Sequence, residues 1–158
     1  MNGGDTVIPA RQGRENQRYD EEGRRLVAGC IVVRETRGEK ECLMISSTKD
    51  PSKFIFPKGG WEIDETLEQA AVRETLEEAG VVVKLVRNLG WFLYDSKKGE
   101  DKNNTANASP KVCFFQATCV EERAVWAEGN RQRHWVPVKE ASGICKHKFM
   151  LSALEHVT

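Results

Sequence analysis

No stretch of the 158-residue chain approaches the ~18 consecutive apolar residues that a membrane-crossing helix requires, so no membrane partner is expected. Met1 to Gln17 lacks the apolar core of a secretory leader. There is no Cys-x-x-Cys pair. The five cysteines, Cys30, Cys42, Cys113, Cys119 and Cys145, are odd in number and three lie in apolar runs. They read as reduced thiols rather than a disulfide frame or a zinc site. A cytoplasmic location is therefore expected, with the nucleus, or export after loss of a leader, left open. Net charge is also absent: 24 Lys and Arg balance 24 Asp and Glu, which argues against a general nucleic-acid binder and against DNA as a partner. His134, His147 and His156 have no ligand-like spacing and read as surface residues.

A hydrophobic fraction of 39% is too high for a disordered chain, and the length suits one domain over 1–158, with 1–17 as a flexible arm. The zero net charge hides an asymmetry. Glu62 to Glu78 carries seven acids and one base, Arg73, so this segment sums to −6 and the remainder to +6. An acidic element in a basic surround suits a cation together with a polyanionic substrate.

Leu26 to Val33 and Glu41 to Ser47 read as strands joined by a turn at 37–40. Phe54 to Phe56 is a short apolar piece stopped by Pro57, after which Gly59-Gly60 reads as a flexible loop. Thr66 to Ala79 reads as a helix, with Thr66 as N-cap, Gln69 completing a capping box and Gly80 as the stop. Val81 to Val86, Trp91 to Tyr94, Lys111 to Cys119 and His134 to Val138 read as further strands. Phe149 to Val157 reads as a C-terminal helix, and the polar stretch Asp95 to Pro110 as a long loop. This order predicts an α/β (α+β) domain, a mixed sheet with helices on both sides.

The helix carries the chemistry. At ~100° per residue, Glu74, Glu77 and Glu78 fall in one sector ~100° wide that continues the stripe of Leu67, Ala70 and Ala71. Val72, Leu76 and Ala79 occupy another side and are expected to pack on the sheet. Three carboxylates extending a buried stripe would repel one another and raise each other's pKa; a hard divalent cation resolves the conflict. The alternative is a solvated acidic face. The flanks weigh against it. Gly59-Gly60 allows close backbone approach to a metal or a phosphate, and Glu65 and Arg73 are placed to clamp the loop onto the helix.

Gly59, five residues, Glu65, seven residues, Arg73-Glu74, two residues, Glu77-Glu78, one residue and Gly80-Val81 together resemble the complete Nudix box, here 59–81. Thr75 stands where the family usually has an aliphatic residue. The resemblance implies the Nudix fold, a mixed β-sheet sandwiched between helices with a loop-helix-loop motif. It also implies hydrolysis of a phosphoanhydride with Mg2+ or Mn2+ as cofactor. Carried over by position, Glu74, Glu77 and Glu78 look like metal ligands and catalytic acids, Lys58 offers a backbone carbonyl ligand, and Glu65 with Arg73 forms a structural ion pair. Which glutamate is the base stays open.

Arg18-Tyr19-Asp20, Ile45-Ser46-Ser47-Thr48-Lys49, Trp126-Ala127-Glu128 and Arg131, Arg133 resemble the diphosphoinositol polyphosphate phosphohydrolase branch. Phe56-Pro57-Lys58-Gly59-Gly60-Trp61 looks most like its plant and microbial members. Two departures stand out. Arg24-Arg25 is only part of the basic run that animal members carry there, and Lys58 also resembles the diadenosine tetraphosphate hydrolases. The resemblance implies an inositol pyrophosphate substrate held by Arg18, Arg25, Ser47, Lys49, Lys58, Gly59, Gly60, Arg131 and Arg133. A dinucleoside polyphosphate is the alternative, and an RNA cap is open but not favoured. A Nudix-fold module that binds without turnover would be expected to have lost box acids, and all are present here.

Overall fold

The structure, a computed structural model, describes residues 7–95 and 108–158. The strand β1 (Leu26–Thr36) is the central element and changes neighbours along its length. Its first half runs parallel to β6 (Lys111–Glu122), with Val27 opposite Val112 and Gly29 opposite Phe114. The short β4 (Lys58–Gly60) pairs antiparallel with the same half, Ala28 facing Gly59. The second half, from Val33 onward, pairs antiparallel with β2 (Glu39–Ser46). The strands β3 (Phe54–Ile55) and β7 (Arg133–Pro137) both add to β2, and β5 (Val81–Leu93) closes the far edge against β6. The result is a mixed sheet flanked by helices. Val27, Ala28, Cys30, Ile31 and Val32 are fully buried, which explains why β1 reads as a near-continuous apolar run.

The helix α1 (Leu67–Ala79) begins at Thr66. The Thr66 hydroxyl accepts from the Gln69 N–H at 3.1 Å, and the Gln69 side chain accepts from the Thr66 N–H at 2.9 Å. Gly80 ends the helix with φ +69°, a left-handed conformation that glycine adopts without Cβ strain. Of the positions expected against the sheet, Ala79 is buried, but Val72 and Leu76 are only half-buried. The fully buried face runs instead through Ala70, Ala71 and Thr75. Thr75 satisfies its hydroxyl by donating to the Ala71 carbonyl at 2.8 Å, so it fills an aliphatic position without an orphaned polar atom.

Three expectations need correction. Gly59-Gly60 is not a free loop; it lies in β4, paired to β1. Val81 to Val86 and Trp91 to Tyr94 are parts of one strand, kept continuous by bulges around Leu85/Arg87 and Asn88/Gly90, with Gly90 at φ +112°. A short helix, α2 (Val138–Ile144), precedes α3 (Lys148–Leu154), the shorter counterpart of the expected C-terminal helix. Most of the long loop expected over Asp95 to Pro110 lies outside the described residues. All five cysteines are free thiols. No helix among the described residues is long and apolar enough to cross a membrane.

Candidate active site

The side chains of Glu74, Glu77 and Glu78 are almost fully buried, at 11%, 9% and 11% exposure. Burial is what sets their chemistry. It pushes the Glu74 carboxyl up to about 8, with the nearby charges of Glu78 and Glu77 adding to the rise and Arg73 opposing it. Burial likewise pushes Glu78 up to about 7, opposed by Arg131 and Lys58. Mutual repulsion, which the sequence suggested as the cause, is thus secondary to desolvation.

Each acid is held by a defined partner. Arg73 sits at the centre: its Nη2 lies 2.7 Å from Glu65 Oε1, and its Nη1 lies 3.1 Å from Glu74 Oε2 and 2.9 Å from Glu77 Oε2. Its Nη2 also donates to the Gly60 carbonyl, tying β4 to the helix. Glu78 accepts from the Lys58 N–H at 3.1 Å, and its other oxygen faces Arg131 at 3.7 Å. Gly59 stands directly against Glu74, so that a methyl group in its place would overlap the carboxylate. Gly60 likewise leaves room for the Gln17 amide.

In this state the box carboxylates are turned to arginines, and no three acidic, thiol or imidazole side chains among the described residues are gathered as a ready metal cage. The donor set is nonetheless all oxygen, and two buried carboxylates with strongly raised pKa are short of positive charge. Both features suit a hard divalent cation.

The remaining candidates divide by what holds them. Arg18 donates to the carbonyls of Glu62, Ile63 and Glu65 and lies 4.4 Å over the Trp61 ring, so it braces the loop before the helix. Arg133 donates to the carbonyls of Ala79, Gly80 and Arg123 and lies over Trp126, so it closes the C-terminal end of α1. Arg131 is buried between Glu128, the Ser46 carbonyl and Glu78. Arg25 donates to Gln17. The Ser47 hydroxyl accepts from the Lys49 N–H and shapes that turn. Lys49 and Lys53 are exposed; with Lys58 they lie close enough to His147 to help hold its pKa below the usual value, after burial and against the pull of Asp95. Lys58 Nζ also lies 5.2 Å over the Tyr94 ring, which stacks on Phe149.

Several residues of this neighbourhood carry no signal in the sequence. His147 has no ligand-like spacing. Asp95 accepts from the N–H groups of Lys148 and Phe149, 53 and 54 residues away. Residues 7–17, expected to be part of a loose arm, are tied to the box: Arg11 meets Glu62 at 2.7 Å and Asp64 at 2.8 Å.

A model of the NUDIX domain matches residues 23–156. The chain is 40% identical over 152 residues to Nudix hydrolase 21, chloroplastic, of Arabidopsis thaliana, an alignment spanning 94% of this chain and 73% of that protein. It is 35% identical over 130 residues to the mouse (Mus musculus) diphosphoinositol polyphosphate phosphohydrolase 3-alpha, spanning 80% of this chain and 73% of that protein. Among solved structures, an Ap4A hydrolase binary complex from C. elegans is similar with a TM-score of 0.65 at 23% identity. That match covers 83% of this chain and 93% of that one, and at this identity the likeness is one of fold. The chain belongs to the Nudix domain family.

Proposed function

We propose that the chain is a divalent-metal-dependent pyrophosphohydrolase acting on an inositol pyrophosphate and releasing phosphate. The observation that carries the reading is the pair of buried carboxylates, Glu74 and Glu78, pushed up to about 8 and about 7, with Lys58 beside Glu78. Such groups are costly to keep ionised unless a cation is to be held. Similarity to a phosphohydrolase named for diphosphoinositol polyphosphates supports the substrate class. The cluster of Lys49, Lys53, Lys58 and His147 suits a ligand of many phosphates.

Glu74, Glu77, Glu78 and the Lys58 carbonyl would hold Mg2+ or Mn2+. When bound, the cation supplies neutralisation of the phosphoryl oxygens and a more acidic water. The chain's own contribution is positioning. Arg73 holds Glu65, Glu74 and Glu77 in one arrangement and binds β4 through Gly60. Lys58 brings a cation to the developing negative charge. One of the glutamates accepts the proton of the attacking water. The compartment is read as cytoplasmic; the Arabidopsis relative's name places that protein in the chloroplast.

The test is phosphate release from an inositol pyrophosphate, a diadenosine polyphosphate and a capped RNA at equal concentration with Mg2+, together with Glu78→Gln. Turnover greatest on the inositol pyrophosphate, lost by more than about tenfold in the variant, is expected. Faster turnover of the dinucleotide would promote the alternative substrate.

A further inference from the structure

The N-terminal segment is laid along the box in three stages. The Asn16 carbonyl accepts from the Ile63 N–H at 2.9 Å, and Gln17 pairs with Glu62, its amide donating to Glu62 Oε2 at 3.2 Å. Arg11 then crosses the loop, its Nη1 between Glu62 Oε1 and Asp64 Oδ1, while its backbone N–H approaches Glu77 Oε2 at 3.4 Å. Upstream again, Val7, Ile8 and Pro9 join Leu76, Val125 and Trp126 around a cavity of ≈ 270 Å³ that borders Arg73 and Glu77.

Two features mark this attachment as reversible. First, the hold is exposed on its outer side: Ile8 is 72% exposed, and of the two acids that meet Arg11 the Asp64 side chain is 60% exposed, Glu62 alone being buried. The exposed Arg11–Asp64 pair contributes little net free energy, which leaves the Glu62 contact to hold the guanidinium. Second, Arg11 and Arg73 feel each other's charge, because both serve the same group of acids. The same oxygen of Glu77 takes the Arg73 guanidinium and the Arg11 N–H. A cation approaching this oxygen competes with both donors.

We propose that Val7–Gln17 is a strap latched through Arg11, and that latching of the strap competes with cation capture by Glu77. The proposal rests on the reading of Glu77 as a member of the cation site. With the strap down, positive charge and a backbone donor crowd Glu77. With the strap lifted, Glu77 loses one donor and the acidic loop at Glu62 and Asp64 loses its resident guanidinium. Because linkage is reciprocal, each state disfavours the other by the same factor.

The test measures Mn2+ affinity by titration of the electron paramagnetic resonance signal. It uses the full chain, Arg11→Ala, and the charge-neutral double variant Val7→Ser with Ile8→Ser. Trypsin cleavage after Arg14 is followed in the wild type with and without Mn2+, alongside a reference peptide. Arg11→Ala is expected to bind Mn2+ about three- to tenfold more tightly, the double variant in the same direction by about twofold, and Mn2+ to accelerate the Arg14 cut by about threefold or more. Unchanged affinity in both variants with Mn2+-independent cleavage overturns the strap, as does weaker binding in Arg11→Ala. A wild type that binds no Mn2+ overturns the reading of the acids as a cation site, and the strap with it.

Discussion

Gly59 on β4 and Glu74 on α1 are in such close contact that a Cβ at position 59 would overlap the Glu74 carboxylate where it now stands. The backbone of the strand and the carboxylate of the helix define each other's position. Gly59 carries no positive φ, so its smallness serves close approach and not an unusual backbone conformation.

Gly59→Ala should therefore separate activity from folding. The overlapping atoms belong to the far end of the Glu74 side chain, which can shift by rotation and not by moving backbone, so stability should change by no more than about 1 kcal/mol. Activity should fall by about a hundredfold or more, because a displacement near 1 Å is enough to spoil a positioned site. Melting temperature and turnover with saturating Mg2+ check both halves; near-normal turnover would show that Glu74 does not need its present place.

The raised carboxyls give a pH signature. Glu74 and Glu78 keep protons in the folded chain up to about 8 and about 7, whereas unfolded they release them near the ordinary glutamate value of 4.5. Across this window the folded state binds more protons, so the stability due to these groups falls as pH rises. With chelator present, Glu74→Gln should gain melting temperature relative to wild type progressively from about pH 5 to pH 8. Adding Mn2+ should stabilise the wild type more at pH 8 than at pH 6, since metal ligation requires the ionised form. A gap between wild type and variant that does not widen with pH would contradict the burial of an ionisable Glu74.

Arg133 should behave as a structural residue. Its guanidinium satisfies the carbonyls of Ala79, Gly80 and Arg123 at the end of α1. Arg133→Ala leaves these acceptors without a charged donor, a loss of about 1.5–3 kcal/mol. Denaturant unfolding should report that loss, while the Michaelis constant of the folded fraction stays within about twofold of wild type. A large rise in Michaelis constant with unchanged stability would return Arg133 to the substrate.

Lys49 and Lys53 should discriminate between substrates. Both are exposed and act on the same side as Lys58 and His147. Removing both, as Lys49→Ala with Lys53→Ala, should lower kcat/KM for an inositol pyrophosphate about tenfold more than for a diadenosine polyphosphate, and raised salt should narrow that difference. Equal losses on both substrates would mean that the lysines hold a phosphate chain common to the two.

The helix and its stripe of acids were legible without coordinates because their causes are local. Thr66 and Gln69 are three residues apart, Gly80 adjoins the last turn, and the angular sector of Glu74, Glu77 and Glu78 follows from helical geometry alone. The alternation and apolar runs likewise marked β1, β2 and β6. What the chain could not reveal by itself depends on residues far apart in sequence. The pairing of Glu78 with Arg131 joins positions 53 apart, and Arg11 reaches Glu77 across 66. The continuity of β5 through Arg87 to Gly90 was decided by its pairing with β6, which tolerates bulges that look like breaks in a linear reading. A guanidinium has the same charge wherever it lies in the sequence; only folding brought the carbonyls of Glu62, Ile63 and Glu65 around Arg18 and those of Ala79, Gly80 and Arg123 around Arg133. Spacing placed the carboxylates on one face, and burial by the packed sheet decided that two of them resist ionisation.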